Sequence, residues 1–203
     1  MKTFPVMLDV RGRRAVLVGG GPVGRRKARA LLEAGADVTI IDPTGETVEG
    51  AHVAAEAYAP EQLDGAALVF ACTDDAATNT RIAADARARG ALVNAADQPE
   101  DCDFHLPAVA REGDVVVAVG TGGAAPGLAG LLRDFLAEAL PDRIGEFAAA
   151  LATVRDELRE RVPHVERRMS IMKRLTDEAT YRAFATGGVA AVRDRLAELL
   201  GEG

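Results

Sequence analysis

No stretch of this 203-residue chain approaches the apolar length that a membrane span requires. The opening residues, Met1-Lys2-Thr3-Phe4-Pro5, lack the long apolar core of a signal peptide, which makes the cytoplasm the expected location. There are only two cysteines, Cys72 and Cys102; they form no CxxC pair and no metal-ligand spacing, and reduced thiols are expected. Histidines number three, with no second ligand spaced to match any of them. Lysine is as scarce (Lys2, Lys27, Lys173), and arginine supplies most of the positive charge. The net charge of −7 removes any general attraction to nucleic acid or to an anionic membrane. Neither internal repeats nor a low-complexity tail are present. What remains is an ordinary globular composition, 48% hydrophobic.

The informative stretch is Ala15-Val16-Leu17-Val18-Gly19-Gly20-Gly21-Pro22-Val23-Gly24. A short β-branched run meets three glycines and opens a helix predicted over Pro22 to Ala34. Gly19, Gly21 and Gly24 have the spacing G-x-G-x-x-G: one glycine for a tight turn, one for close approach to a pyrophosphate, one for close packing of helix on strand. Pro22 sits where a helix tolerates a missing N–H, and Val23 follows it in the first turn, whose N–H groups and positive dipole end suit a phosphate. A second strand, Val38 to Ile41, ends in Asp42, 18 residues beyond Gly24, where an acid is needed to bind a ribose diol. Pro43 and Thr44 follow, beside the expected adenosine. These features predict NAD binding.

The apolar run Ala67 to Cys72 reads as a buried parallel strand. It ends in Thr73-Asp74-Asp75, which places Thr73 and Asp74 beside the cofactor, because loops at the carboxyl ends of strands surround the ligand in a doubly wound sheet. A helix is predicted from Thr73 to Arg89, then a strand Ala91 to Asn94, with Asn94, expected to bind the cofactor, and Asp97 at its carboxyl end. Phe4 to Val10 reads as a further strand leading into Ala15. Phe104 to Val109 and Val115 to Val119 flank a turn and read as a hairpin, expected to extend the parallel sheet with antiparallel strands. A second glycine loop, Gly120 to Gly123, leads to a helix ending near Leu140, and everything beyond Pro141 reads as helix. The expected fold is α/β: a Rossmann-type parallel sheet extended by a hairpin, followed by an all-helical C-terminal domain. The expected boundaries are 1–106 for the NAD-binding Rossmann domain, 107–140 for the hairpin and linking helix, and 141–203 for the helical domain.

Three groups could carry chemistry. Asp97 is either a general base facing the cofactor or an aspartate that caps a loop. His105 is an acid, base or metal ligand, or else a satisfied structural histidine. Between Arg155 and Arg174 seven basic residues face four acidic ones; this suits a polyanionic ligand, or a solvated helix face with pairs such as Glu157 with Arg161.

Taken together, several ordered stretches resemble the siroheme synthase family, in its precorrin-2 dehydrogenase/sirohydrochlorin ferrochelatase module. They are Val18 to Ala28; Thr73-Asp74-Asp75 with Asn79; Val93-Asn94 with Asp97; Cys102-Asp103-Phe104 with Pro107-Ala108; Thr121-Gly122-Gly123 with Pro126 and Leu132-Arg133; and Glu166-Arg167-Arg168. The resemblance implies NAD-dependent oxidation of precorrin-2 to sirohydrochlorin, with ferrous iron insertion in some members, by a homodimer whose residues 107–140 serve dimerisation. It implies that Asp97 is the essential aspartate, and that Thr121, Gly122, Arg167 and Arg168 contact the carboxylate-rich tetrapyrrole. Asp42 then favours NAD, because its charge repels a 2′-phosphate. Two positions depart from the family pattern: Ala125 stands where a serine is frequent, and Gly24 where some relatives have alanine, a change expected to matter little. The methyltransferase domain fused to some members is not expected here. A module that binds NAD and regulates without catalysis is the alternative.

Overall fold

The computed structural model describes residues 3–201, so Met1 and Lys2 of the N-terminal pentapeptide lie outside the described residues. The chain forms two units, one ending at Leu106 and the other beginning at Pro107.

The first unit is built on a parallel sheet of five strands: β1 (Arg14–Val18), β2 (Asp37–Ile41), β3 (His52–Ala54), β4 (Leu68–Ala71) and β5 (Leu92–Ala95), in the order β3-β2-β1-β4-β5. Two helices cover it, α1 (Pro22–Glu33) and α2 (Ala76–Ala88). Alternation along the strands divides the core in two. Val16, Val18, Val69 and Ala71 pack with Ile82, Ala83 and Ala86 of α2. Leu17, Phe70, Val38 and Ile40 pack with Ala28 and Leu31 of α1. Both faces are thus apolar, as a parallel sheet demands. The order reverses between β1 and β4, and the carboxyl ends of these two strands open the crevice where such sheets bind ligands.

The second unit contains the hairpin β6 (Ala108–Glu112) and β7 (Val115–Val119), then α3 (Pro126–Glu138), α4 (Ile144–Arg161), α5 (Val165–Leu175) and α6 (Glu178–Gly201). Its two-residue turn has Gly113 at φ 56°, a conformation suited to glycine. Helix α3 packs on the hairpin. Phe147, Val154, Leu158, Leu175, Phe184, Val192 and Leu196 form one core among α4, α5 and α6. Gly188, at φ 63° and ψ −151°, interrupts α6 where Gly187-Gly188 predicts a break.

Three expectations need correction. The hairpin does not extend the parallel sheet; it is a two-stranded sheet of its own. The outer edge of β5 is already occupied by the returning chain. Val93 N–H donates to the Asp103 carboxylate (3.0 Å), Asp103 N–H donates to the Val93 carbonyl (2.8 Å), and Ala95 N–H donates to Cys102 Sγ (3.2 Å). Nor does the strand β6 begin at Phe104: that ring packs edge-on to Phe70 at 5.5 Å, so pairing starts only at Ala108. Finally, Phe4 to Val10 forms no strand, since β2 and β4 take both edges of β1.

Candidate functional site

The crevice begins where β1 ends. Gly19 turns the chain at φ 103°, and a Cβ there would strike the carbonyl of Cys72. A Cβ on Gly24 would strike the carbonyl oxygen of Gly19. An alanine at 24 therefore requires the loop to move, and the expectation that it matters little is corrected. Gly21 has open space where its side chain would be. Pro22 is the first residue of α1, and no side chain caps that helix. The N–H groups of Val23 and Gly24 are left to face a ligand, with the positive end of the helix dipole behind them.

Asp42, just past the end of β2, is closely held. One carboxylate oxygen accepts from the Gly20 N–H (2.5 Å); the other accepts from the Thr44 N–H (2.8 Å) and hydroxyl (2.5 Å). The Thr44 hydroxyl, then the Gly20 N–H, hold this carboxyl below the usual carboxylate range. Lone pairs remain on Asp42 for a ribose hydroxyl. Pro43 and Thr44 form the turn that closes with Gly45 N–H on the Asp42 carbonyl (3.1 Å).

On the other side of the crevice, Thr73 is fixed by Asn79, a buried residue of α2. Asn79 Oδ1 accepts from the Thr73 hydroxyl (2.7 Å) and N–H (3.1 Å), and its Nδ2 donates to the Thr73 carbonyl (3.0 Å). Asp75 caps α2 by accepting from Thr78 N–H (2.9 Å), which starts that helix at Ala76 rather than Thr73. Asp74 between them is exposed.

Asn94 is buried, and its amide has a use other than the cofactor. Oδ1 accepts from Lys27 Nζ (2.7 Å) and Nδ2 donates to the Phe104 carbonyl (2.9 Å). Its side chain braces the crevice floor. Lys27, which also lies 5.5 Å from the centre of the Phe70 ring, was not among the expected site residues. Its signal was available: a lysine beside Ala28 and three residues after Gly24, on a helix face that is otherwise apolar.

Asp97 is exposed in the turn after β5, with φ 59°. Its neighbours clamp the turn. Ala96 N–H donates to the Ala71 carbonyl (2.8 Å), Gln98 Nε2 donates to Thr80 Oγ1 (2.9 Å), and Cys102 Sγ donates to the Gln98 carbonyl (3.3 Å). The carboxyl ends of β1, β4 and β5 thus bring the glycine loop, Thr73, Asp74 and Asp97 to one edge of the sheet. Cys72 is buried there, and burial pushes its thiol up.

His105 is exposed, and among the described residues no group of three or more His, Cys, Asp or Glu side chains could hold a metal ion. In the second unit, the Thr121 hydroxyl closes the second glycine loop by donating to the Ala125 carbonyl (3.1 Å), and Gly122 and Gly123 both have positive φ. Arg168 donates to the carbonyls of Val162 and Pro163 (2.8 Å each), and Arg167 to that of Leu200 (3.2 Å), so both hold helix ends. Arg161 pairs with Glu157 (2.7 Å).

A family model described as "Putative NAD(P)-binding" matches residues 6–108. The chain belongs to this NAD(P)-binding family. The siroheme synthase of Chromobacterium violaceum is 36% identical over the whole of this chain, which spans 45% of that protein. That of Nitrosomonas eutropha is 34% identical over 98% of the chain, which spans 44% of it. The chain thus spans less than half the length of these curated relatives. Among solved structures, SirC, a precorrin-2 dehydrogenase, superposes with a TM-score of 0.78, covering 98% of this chain and 100% of that one at 21% identity; the fold is shared. The NAD(P) reading fits the observed cradle. The glycines leave no room for side chains at the loop's two tight contacts, the helix end is uncapped, and an ionised acid with free lone pairs stands at the ribose position.

Proposed function

We infer that this chain is a dehydrogenase that oxidises precorrin-2 to sirohydrochlorin with NAD. The observation that carries the reading is similarity to siroheme synthases over the chain's whole length, supported by the exposed position of Asp97 in the turn after β5. NAD accepts the hydride that leaves the macrocycle. The glycine loop and the first turn of α1 bind the pyrophosphate, Asp42 the adenosine ribose, and Thr73 and Asp74 the part nearer the nicotinamide. Asp97 accepts the proton released as the macrocycle loses its hydride, so one NADH forms per sirohydrochlorin. An exposed carboxylate on a turn whose backbone is clamped by its neighbours suits that role.

The finer parts of the reading follow from the same site. Asp97 also takes protons from pyrrole nitrogens when ferrous iron, a substrate here, enters sirohydrochlorin. Thr121 and Gly122 shape a loop that meets the substrate. Arg167 and Arg168, whose guanidinium groups keep N–H donors beyond those given to the helix-end carbonyls, contact substrate carboxylates. The protein acts as a homodimer in the cytoplasm. The deciding experiment is anaerobic incubation with enzymatically generated precorrin-2, with and without NAD, followed by absorbance. NADH forming in step with sirohydrochlorin is expected; untouched precorrin-2 despite NAD binding would refute the dehydrogenase. Ferrous iron is then added, and sirohaem forming no faster than in a protein-free control would confine the protein to oxidation.

A further inference from the structure

The end of β2 carries more charge than the ribose acid alone. Arg25, in the first turn of α1, forms an ion pair with Glu46, four residues beyond Asp42. The Arg25 side chain is only 26% exposed, against 57% for Glu46, so the pair lies along the surface with its cation on the inside. Arg25 is also close enough to Asp42 to help hold that carboxyl ionised. The corner therefore contains two acids and one arginine around the place where the adenosine ribose meets Asp42. An arginine there is the group that accepts a ribose 2′-phosphate in NADP-binding members of this fold class. Here it is taken.

We propose that Glu46 is a specificity-determining residue: by sequestering Arg25 it withholds the cation a 2′-phosphate needs, and with Asp42 it makes the crevice select NAD over NADP. Asp42 repels the phosphate directly. Glu46 acts by occupying the guanidinium and by leaving the corner with a net charge of −1. Replacing Asp42 alone removes the repulsion but leaves Arg25 engaged. Replacing both acids frees a guanidinium whose fork matches phosphate geometry. The inference rests on the reading that the crevice takes NAD, and its test is kept separate from turnover.

The experiment measures dissociation constants for NADH and NADPH by nicotinamide fluorescence, in the wild type, Asp42→Asn, Glu46→Gln, the double variant, and the double variant with Arg25→Leu. The wild type is expected to prefer NADH. Glu46→Gln, added to Asp42→Asn, is expected to raise NADPH affinity relative to NADH by about tenfold, the size of one hydrogen bond to a charged group. Arg25→Leu should abolish that gain, and the gain should shrink as salt rises. A double variant no better than Asp42→Asn, or a gain that survives Arg25→Leu, would overturn the role of the pair. A wild type that binds both nucleotides equally overturns the inference and leaves the NAD(P) fold assignment standing; one that binds neither overturns the cofactor reading beneath it.

Discussion

Asp97 sits at φ 59°, a conformation that asparagine and aspartate tolerate and most residues do not. That decides which substitution tests it. Alanine would confound chemistry with the cost of a left-handed backbone, about 1–2 kcal/mol. Asp97→Asn keeps the turn and removes only the base. It is expected to lower kcat for precorrin-2 oxidation by about 10²-fold or more while NADH still binds, the usual worth of a positioned base. Stopped-flow or steady-state NADH formation reads it, and wild-type turnover in Asp97→Asn would remove this residue from the mechanism. Asp42 offers a test in pH. Its folded carboxyl titrates below the ordinary value because the Thr44 hydroxyl and the Gly20 N–H favour the ionised form. A depressed folded value means that the stability it contributes is fully present above the unfolded value of about 3.9 and is lost as pH falls through the folded one. Urea unfolding should therefore show wild type ahead of Asp42→Asn at pH 6, with the difference closing below about pH 4. A difference that grows as pH falls would contradict the sign.

The glycine loop is an element whose shape depends on a single backbone conformation. Gly19 is at φ 103°, and any Cβ there would meet the Cys72 carbonyl on the neighbouring strand β4. Gly19→Ala is expected to cost about 1–3 kcal/mol of stability and to abolish NADH binding, because strain and collision act together. Urea midpoints and fluorescence titration check both parts, and unchanged binding would mean that the loop has another way to turn. This element was legible in the sequence because a glycine spacing, a strand before it and an acid after it all answer to one ligand. The sheet was legible for a similar reason: Ala67 to Cys72 is apolar on both faces, which only a covered parallel strand requires. The hairpin's place was not. Whether β6 could join the sheet depended on the edge of β5, and that edge is closed by the Asp103 carboxylate and the Cys102 sulfur. Hydrophobic periodicity carries no information about such side-chain pairing. The pairing of Asn94 with Lys27 escaped for the same reason. Their bond links residues 67 positions apart, and only the fold brings them together.

At the scale of the molecule, the largest question the folded chain raises is an uncovered face. Leu128, Leu131, Leu132, Phe135 and Leu136 lie at helical spacing on α3, and each is 39–58% exposed. On the same helix Ala129 is buried, where α3 packs on the hairpin. A helix amphipathic toward its own hairpin would carry polar residues on its outer side; this one carries leucines and a phenylalanine, a stripe that isolated chains rarely leave to water. In the proposed homodimer a second copy of the same stripe would cover it, with the self-complementarity of a two-fold interface. The expected result is twice the chain mass by light scattering for the wild type, and the single chain mass for Leu131→Glu/Phe135→Glu at the same concentration. Burying unpaired carboxylates in an apolar seam weakens association by about 10²-fold or more. Because the changed side chains point away from the hairpin, the double variant should keep the wild-type far-ultraviolet dichroism, which separates dissociation from unfolding. A wild type that runs as a single chain at micromolar concentration would show that the stripe serves some other contact, and a variant that remains double would move the interface elsewhere on the molecule.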